Sequence, residues 1–201
     1  MSIYALKPRF QALLRPLVAS LFKLGVTANQ VTLAACGISV ALGIGLYAMG
    51  APPAGFALIP LWMFVRMALN AIDGMLAREF GQQSRLGAFL NELTDVIADA
   101  ALFLPFALVA PLGALWVGIV IVLAGMTEFA GALGATVGAS RRYDGPMGKS
   151  DRAFVFGALA LWIAMAPLPA AAAMLMPLLA LLTALTIVRR VRSALLEASP
   201  R

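Results

Sequence analysis

NAIDGMLAREFGQQSRLGAFLNELTD, residues 70 to 95, places acidic and amide side chains between two strongly apolar parts of the chain. A short polar turn around residues 77–83 divides the stretch, and each side continues into an apolar run. An α-helix needs about 20 apolar residues to cross the hydrocarbon core of a bilayer, and both runs reach this length. The stretch therefore predicts two membrane helices joined by a tight turn, with polar groups on both.

The composition of the whole chain is that of a membrane protein. Of its 201 residues, 62% are apolar and 12% are charged, and the mean hydropathy is +0.94. Soluble domains carry about 25% charged residues. Runs of spanning length occur at about 30–49, 53–76, 84–106, 113–139, 152–168 and 170–189. We therefore predict an all-α integral membrane protein with six transmembrane helices.

The distribution of charge predicts which helix ends face the cytoplasm. Lys and Arg residues lie before the first span, between the second and third, between the fourth and fifth, and after the sixth. The intervening loops, around residues 51–53, 110–113 and 166–170, contain no charged residue. Because basic residues accumulate in cytoplasmic segments, both termini are predicted to be cytoplasmic.

Residues 1–29 are predicted to form an N-terminal juxtamembrane segment ahead of a transmembrane domain over residues 30–201. Apolar residues recur there at helical spacing with basic residues between them: Ile3, Leu6, Phe10, Leu13, Leu17 and Leu21. This pattern is typical of an amphipathic helix in the headgroup layer, and Pro16 predicts a break in it. Thr27 and Asn29 stand where the first span begins, and helix capping alone would explain both. The net charge of +6 fits an anionic membrane surface, and no basic-aromatic array of the nucleic-acid-binding kind is present.

Polar side chains form one face on each of the second and third predicted spans. Asn70 and Asp73 are three residues apart on the second, and Asn91, Asp95 and Asp99 are spaced by four on the third. An ionised Asp in hydrocarbon costs about 2.5 to 3.5 kcal/mol, so several at one depth need a compensating cation or water. The short turn lets the two faces converge near the cytoplasmic side, and a functional site is the preferred interpretation.

The available side chains restrict the chemistry of such a site. The chain has no histidine and a single cysteine, Cys36, so acid-base and metal chemistry depends on carboxylates. Carboxylate and amide oxygens suit hard divalent cations, and Mg²⁺ commonly bridges carboxylates to substrate phosphates. Arg78, about one turn beyond Asp73, suits a diphosphate. The pattern indicates phosphoryl-type transfer between a lipid and a water-soluble partner.

Four further polar residues leave alternatives open. Arg66 is expected to pair with Asp73 or Glu128, or to neutralise substrate, and structural pairing is preferred. Glu128 is interpreted as a protonated or an arginine-paired carboxylate. Lys149 and Arg152 satisfy the positive-inside rule, and they also lie where an anionic acceptor would dock.

The spacing of the polar residues resembles the signature of the CDP-alcohol phosphotransferases, D-x2-D-G-x2-A-R-x8-G-x3-D-x3-D. The matching positions are Asp73, Gly74, Ala77, Arg78, Gly87 and Asp95. VTANQVT, residues 26–32, is similar to the family's T-P-N-x-x-T stretch, with Ala28 in place of proline. LKPRFQALLRP, RMALNAIDGMLARE and GPMGKSDRA resemble the YnbA-type bacterial branch. The resemblance covers essentially the whole chain.

The resemblance implies a multi-pass, homodimeric enzyme of the bacterial inner membrane, with a polar cavity open to the cytoplasm. A CDP-linked lipid and one or two Mg²⁺ or Mn²⁺ ions would bind there. The implied ligands of CDP and its diphosphate are Asp73, Gly74, Ala77, Arg78, Gly87, Asn29 and Thr32. The candidate metal ligands are Asn70, Asp73, Asn91, Asp95 and Asp99. Asp95 is also the implied base for the acceptor hydroxyl, and the candidate acceptor-binding residues are Arg66, Lys149, Arg152 and Arg189.

The chain departs from the signature at two positions. Asn70 and Asn91 replace the first and third aspartates of the family pattern. An amide oxygen can ligate Mg²⁺ but adds no negative charge, so Asp73 and Asp95 offset one divalent ion rather than two. Either a second ion arrives with the substrate diphosphate, or another carboxylate supplies the charge. The candidates for that carboxylate are Asp99, which is preferred, Glu92 and Glu128.

The leading hypothesis is transfer of a phosphatidyl group from CDP-diacylglycerol to the hydroxyl of a small phosphorylated polyol such as glycerol 3-phosphate, with release of CMP. The anionic acceptor is inferred from Lys149, Arg152 and the basic cluster at 189–192. One alternative is a catalytically weak CDP-lipid-binding relative whose two Asn residues abolished metal chemistry. A carboxylate-lined transporter is less favoured, because the outer halves of the spans are apolar and no internal repeat is evident.

Overall fold

The computed structural model describes the backbone of residues 3–198 and the side chains of residues 10–198. The α-helices are α1 (Ile3–Lys23), α2 (Ala28–Ala48), α3 (Leu58–Glu79), α4 (Arg85–Phe103), α5 (Ala114–Leu133), α6 (Lys149–Met165) and α7 (Leu175–Ala198). Short 3₁₀ segments occur at Pro53–Ala57, Leu104–Leu108, Gly134–Val137 and Ala170–Met174. Residues 3–198 contain no β-strand, and the all-α prediction is confirmed.

The length and composition of the helices support four of the six predicted spans. Within the described residues, the stretches long and apolar enough to cross a membrane are Ala28–Ala48, Pro53–Glu79, Ala114–Val137 and Ala170–Ala198. The other two predicted spans correspond to α4 and α6. α4 includes Arg85, Glu92, Asp95 and Asp99 within 19 residues, and α6 has only 17 residues. The charged residues that form the predicted polar face of α4 therefore lower its mean hydropathy.

α2 and α4 run parallel, and their first turns lie at the same end of the molecule. The two helices are in close contact at Gly43 of α2 and Ala101 of α4. Their backbones are so close there that a Cβ on Gly43 would collide with the carbonyl of Ala101. Both residues lie about four turns into their helices. The N-termini of α2 and α4 are consequently at similar depth, which matters for the cavity that they enclose.

An aromatic cluster fixes the far end of α4. Phe103 and Phe156 stack with ring centroids 3.7 Å apart, and Phe106 meets Phe156 edge-on at 5.0 Å. Phe56 contacts Phe106 at 5.0 Å, and all four rings are fully buried. Each such ring pair contributes about 0.5 to 1.5 kcal/mol beyond its buried area. Phe103 lies one turn beyond Asp99, so this packing sets the depth of the polar face on α4.

α1 is one continuous helix from Ile3 to Lys23, and the predicted break at Pro16 is wrong. Proline removes a helical hydrogen bond, but Ser20 donates to the carbonyl of Pro16 at 3.0 Å, and packing holds the helix in place. Val18 is fully buried in a cluster with residues of α2 and α3, while Leu13 and Leu17 are 76% and 50% exposed. The exposed leucines leave an apolar face for a bilayer, as the amphipathic pattern predicts.

The start of α2 is fixed by two sets of hydrogen bonds. Thr27 accepts from the backbone N–H of Gln30 at 3.2 Å, and the Gln30 side chain accepts from the Thr27 N–H at 2.9 Å, which confirms the capping role of Thr27. From the α3–α4 turn, Gln82 accepts from the Ala28 N–H at 2.7 Å and donates to the Val26 carbonyl at 3.4 Å. The α3–α4 turn is therefore held against the beginning of α2.

Candidate active site

A cavity of about 420 Å³ lies between the first turns of α2 and α4 and the end of α3. All seven residues implied to bind CDP line it: Asn29, Thr32, Asp73, Gly74, Ala77, Arg78 and Gly87. Asn91 and Glu92 of α4 and the turn residues 82–84 complete much of the wall. Residues more than 50 positions apart in the chain thus form a single polar cavity.

Two helix N-termini border this cavity. Ala28 and Asn29 are the first two residues of α2, and Ser84 and Gly87 belong to the cap and first turn of α4. Ser84 caps α4 by accepting from the Gly87 N–H at 2.9 Å. Backbone N–H groups and the positive end of the helix dipole favour an anion at such a position. Because Arg78 also lines this cavity, the cavity suits phosphate groups.

Gly74 and Gly87 have a steric reason to be glycine. A Cβ on Gly74 would lie 2.7 Å from Nη2 of Arg78, whose guanidinium lies over that position. A Cβ on Gly87 would lie 2.8 Å from Oδ1 of Asn29 and 3.0 Å from the Ser84 hydroxyl. The two glycines allow Arg78 and Asn29 to take their places in the cavity wall.

Asp73 differs from the other buried carboxylates of the described residues because no Lys or Arg nitrogen lies within ion-pair distance of it. Its side chain is buried, and it accepts a hydrogen bond from the Thr32 hydroxyl at 2.8 Å. An ionised carboxylate removed from water needs a compensating charge. Asp73 faces the cavity together with the Asn91 amide, and hard oxygen donors of this kind fit a divalent cation.

Asp95 and Asp99 lie deeper along α4, inside an ion-pair network. Arg66 of α3 donates to both, from Nη2 to Oδ1 of Asp95 at 3.1 Å and from Nη1 to Oδ1 of Asp99 at 2.6 Å. The ammonium of Lys149 lies 2.5 Å from Oδ2 of Asp95. Arg152 lies 3.4 Å from Oδ2 of Asp99. Every oxygen of these two carboxylates therefore contacts a cation.

The partners expected for Arg66 were wrong, since it pairs with neither Asp73 nor Glu128. α3 and α4 are joined by a short turn, so residues equally far from the turn lie at equal depth. Arg66 and Asp99 are each about four turns from it, and Asp73 is at the level of Asn91 nearer the cavity mouth. The antiparallel register therefore brings Arg66 to Asp95 and Asp99.

Glu128 of α5 is the centre of a second group of ion pairs. Its carboxylate contacts Arg141 at 3.3 Å, Arg152 at 2.8 Å and Arg190 at 3.4 Å. Of the two interpretations of Glu128, the arginine-paired one is therefore confirmed. Arg152 joins this group to the first, because it contacts Asp99 as well. Its guanidinium is almost completely buried and also donates to the Thr127 hydroxyl at 2.9 Å.

The structure places Arg189 and Arg190 on different sides of α7. Arg189, the candidate acceptor-binding residue, is exposed, whereas Arg190 is buried and donates to the carbonyls of Thr127 and Asp144. Arg190 was predicted only as a member of the basic cluster at 189–192. The burial of Arg190 could have been predicted from its position on the helix. Thr183, Thr186 and Arg190 are spaced by three and then four residues, so they lie on one face of α7, and all three are buried.

The loop between α5 and α6 is fastened to α7. Arg142 pairs with Asp144 at 2.8 Å and with Glu197, and the hydrogen bond from Arg142 lowers the pKa of the Asp144 carboxyl. The Met147 N–H donates to the Thr186 hydroxyl at 3.0 Å. These contacts position the end of the loop, where Lys149 begins α6 and reaches Asp95.

Comparison with known proteins gives consistent matches in sequence and in structure. The family model of the CDP-alcohol phosphatidyltransferases matches residues 25–195. The inner membrane protein YnbA of Escherichia coli is 50% identical over 167 residues, which cover 83% of each chain. A phosphatidylinositol phosphate synthase of Streptomyces avermitilis is 36% identical over 99 residues, 49% of this chain and 39% of the relative.

Two solved structures of the phosphatidylinositol phosphate synthase of Mycobacterium tuberculosis resemble the fold. The complex with manganese and citrate has a TM-score of 0.75 and 26% identity, and the match covers 92% of this chain and 91% of that one. The form with bound CDP-DAG has a TM-score of 0.73 and 25% identity, over 92% and 96% of the two chains. The all-α fold of the described residues is thus shared with a protein whose structure is known with CDP-DAG bound.

Proposed function

We propose, from the premise that the chain belongs to the CDP-alcohol phosphatidyltransferase family, that it transfers the phosphatidyl group of CDP-diacylglycerol to the hydroxyl of a small polyol and releases CMP. The observation that carries this proposal is the single cavity in which all seven implied CDP ligands meet. The two helix N-termini at that cavity and Arg78 would bind the diphosphate.

A divalent cation, Mg²⁺ or Mn²⁺, is part of the proposed reaction. A related structure contains manganese, and the unpaired carboxylate of Asp73 beside Asn91 supports a cation at this place. Asp73 and Asn91, which line the cavity, would hold it, and Asn70, about one turn before Asp73 on α3, stays a predicted third ligand. When bound, the metal would neutralise charge on the diphosphate and stabilise the departing CMP.

Asp95 is the proposed base. Its carboxylate would take the proton of the acceptor hydroxyl, and the hydroxyl oxygen would attack the lipid-side phosphorus as the bond to CMP breaks. Arg66 and Lys149 contact one carboxylate oxygen each, which fixes the orientation of Asp95. Asp99 is held in the same way by Arg66 and Arg152, so it helps to keep Arg66 in position beside Asp95.

The proposed acceptor is a phosphorylated polyol such as glycerol 3-phosphate. The connected network contains five cations, Arg66, Arg141, Lys149, Arg152 and Arg190, and four carboxylates, Glu92, Asp95, Asp99 and Glu128. Two of these cations, Arg66 and Lys149, lie directly beside Asp95, where they would attract an anionic group of the acceptor. The related phosphatidylinositol phosphate synthases are named for a product that carries an additional phosphate. An acceptor role for the exposed Arg189 stays a prediction.

The proposed setting is a homodimer in the bacterial inner membrane, with six spans, both termini cytoplasmic and the cavity facing the cytoplasm. The related inner membrane protein and the uncharged loops support this location and orientation. α1 would lie on the cytoplasmic membrane surface as a juxtamembrane segment, with the exposed Leu13 and Leu17 toward lipid.

CMP release tests the proposal directly. The purified protein is incubated with CDP-diacylglycerol, Mg²⁺ or Mn²⁺, and glycerol 3-phosphate, inositol phosphate or the unphosphorylated alcohols. We expect metal-dependent CMP release with a phosphorylated acceptor, and its loss in Asp95→Asn. Asp151→Asn is the matched control, because Asp151 is exposed and has no cationic partner among the described residues, and asparagine keeps a side-chain oxygen that can accept from the Gly148 N–H. Unchanged CMP release by Asp95→Asn would exclude the base role.

A second candidate function is a CDP-lipid-binding protein with little catalytic activity. The observation that favours it is the pair Asn70 and Asn91, which removes two negative charges from the family signature. This candidate predicts CMP release only after Asn70→Asp and Asn91→Asp are combined. Metal-dependent CMP release by the unmodified protein would exclude it.

A further inference from the structure

We infer that this chain binds a single divalent cation, at Asp73, and that the ammonium of Lys149 occupies the place of a second cation at Asp95. The inference rests on the metal-dependent function proposed above. It follows from which carboxylates in the site have cationic partners and which do not.

Asp73 has room and need for one cation. It is buried, it lines the open cavity, and its hydrogen-bond donors, the Thr32 hydroxyl and the Gly74 N–H, are both neutral. Asp151 is the other acidic residue of the described chain without a cationic partner, and it is exposed. Asp73 is therefore the buried negative charge that a metal ion from solution would balance.

Asp95 has no such need. Lys149 contacts one of its oxygens and Arg66 the other, so two full positive charges already surround one carboxylate. A divalent ion placed there would be repelled by both, and the amides of Asn70 and Asn91 would contribute no charge to offset it. The charges of Asp95 and Lys149 both act on Asp73, so the two positions belong to one electrostatic site.

The carboxylates considered as replacements for the missing charge are also engaged. Asp99 contacts Arg66 and Arg152 through its two oxygens. Glu92 pairs with Arg141, and Glu128 contacts three arginines. Among residues 3–198, no group of three or more His, Cys, Asp and Glu side chains is arranged to hold a metal ion. Asp73 is therefore the one buried carboxylate of the described residues that is left for a metal ion, and with neutral amide oxygens beside it its charge suits one ion rather than two.

The test counts metal ions independently of turnover. The protein is purified in lipid nanodiscs with saturating CDP-diacylglycerol and titrated with Mn²⁺, and free Mn²⁺ is measured by electron paramagnetic resonance. Discs with the lipid but without protein supply the background. We expect one Mn²⁺ per chain, lost in Asp73→Asn and retained in Asp151→Asn.

A gain of binding avoids any ambiguity from misfolding. In the Asn70→Asp, Asn91→Asp background, Lys149→Met is expected to admit a second Mn²⁺ at least tenfold more tightly than the background alone. Lys23→Met in the same background is the control, since Lys23 is an exposed lysine at the end of α1. Equal affinity for the second ion in the Lys149 and Lys23 variants would overturn the role of Lys149.

Other outcomes also decide the inference. Two ions per unmodified chain, or none, or one ion that survives Asp73→Asn would each overturn it. One ion without CMP release would leave the inference intact and reject the proposed reaction. CMP release with two bound ions would support the proposed reaction and overturn the single-ion inference. Failure of the reaction and failure of the inference are therefore distinguishable.

Discussion

Asp73 and Glu128 are equally buried, but they have opposite surroundings. Asp73 meets a hydroxyl and an open cavity, and Glu128 contacts three arginines. In the low-dielectric interior, an unbalanced charge is available for a ligand, whereas a balanced one holds helices together. At the scale of single residues, the difference between binding and structural roles follows from the partners of each carboxylate.

Glu128→Gln should strongly destabilise the fold. The amide keeps the size of the side chain but leaves Arg141, Arg152 and Arg190 without their shared charge, and breaking a buried pair costs about 3 to 5 kcal/mol. We expect a clear fall in the thermal unfolding temperature in detergent. Glu79→Gln is the control, because the Glu79 pair with Arg15 is solvent-exposed and worth at most about 1 kcal/mol. Equal shifts in both variants would contradict a structural role for Glu128.

Gly87→Ala should weaken CDP-lipid binding. The new methyl group would displace Asn29 and the Ser84 hydroxyl from the cavity wall, because its Cβ lies within 3.0 Å of both. Loss of one hydrogen bond of about 1.4 kcal/mol corresponds to a tenfold rise in KM for CDP-diacylglycerol. Gly118→Ala is matched in chemistry, and its Cβ would meet no atom within 4 Å. We expect its KM to be unchanged, and a similar rise in both variants would contradict the steric argument.

The sequence predicted the cavity residues more accurately than it predicted the ion pairs. Asp73, Arg78 and Gly87 lie on two helices joined by a short turn, and Asn29 and Thr32 of α2 were assigned to the same site only through the resemblance to the family. The partners of Arg66 depend on the register between α3 and α4, and the burial of Arg190 depends on the phase of α7. The spacing within one motif determines neither the register between α3 and α4 nor the face of α7 that is buried. For this reason the partners of Arg66 were predicted wrongly and the burial of Arg190 was missed.

At the scale of helices and turns, tertiary contacts override local preferences. Pro16 should break α1, yet α1 continues because Val18 packs against α2 and α3. The charged residues of α4 make it look unlike a membrane helix, yet those charges are neutralised by neighbouring helices. Local composition predicted the helices themselves, and their ends and environments are set by neighbours that are distant in the chain.

Gln82→Ala should loosen the contact between the α3–α4 turn and α2. Gln82 accepts from the Ala28 N–H at 2.7 Å, and loss of this hydrogen bond at the start of a helix costs about 1 kcal/mol. We expect a lower unfolding temperature and weaker binding of CDP in an equilibrium titration. The control is Gln83→Ala, since Gln83 lines the same cavity but is exposed. Stability and affinity that are identical in the two variants would contradict the proposed link.

Across the described residues, a network of charged side chains is buried while many large apolar side chains are exposed. α4 presents Phe89, Leu93 and Ile97 along one exposed face, with 70%, 58% and 49% of each side chain exposed. α6 likewise exposes Phe154 and Met165, each at 77%. Apolar faces of this size are stable against lipid and unfavourable in water. α4 and α6 therefore have the outer surface expected of membrane helices, although α4 carries several charged residues and α6 is shorter than a typical membrane span.

The number of spans is decided by the positions of two loops. If α4 and α6 both cross the membrane, Ala110 lies outside and Tyr143 lies in the cytoplasm. With only the four apolar stretches as spans, the same two residues exchange sides. Gln83 and Ala166 keep their sides under both arrangements, cytoplasmic and external respectively, so they serve as controls.

Single cysteines at these four positions, in a Cys36→Ala background, provide the measurement. We expect a membrane-impermeant maleimide added to spheroplasts to label Ala110→Cys and Ala166→Cys. Inside-out vesicles should label Gln83→Cys and Tyr143→Cys, because the basic loops are retained in the cytoplasm. Labelling of Tyr143→Cys from outside together with protection of Ala110→Cys would establish four spans. In that case Lys149 and Asp95 could not meet beside a cavity that opens to the cytoplasm, so the orientation of the site depends on this result.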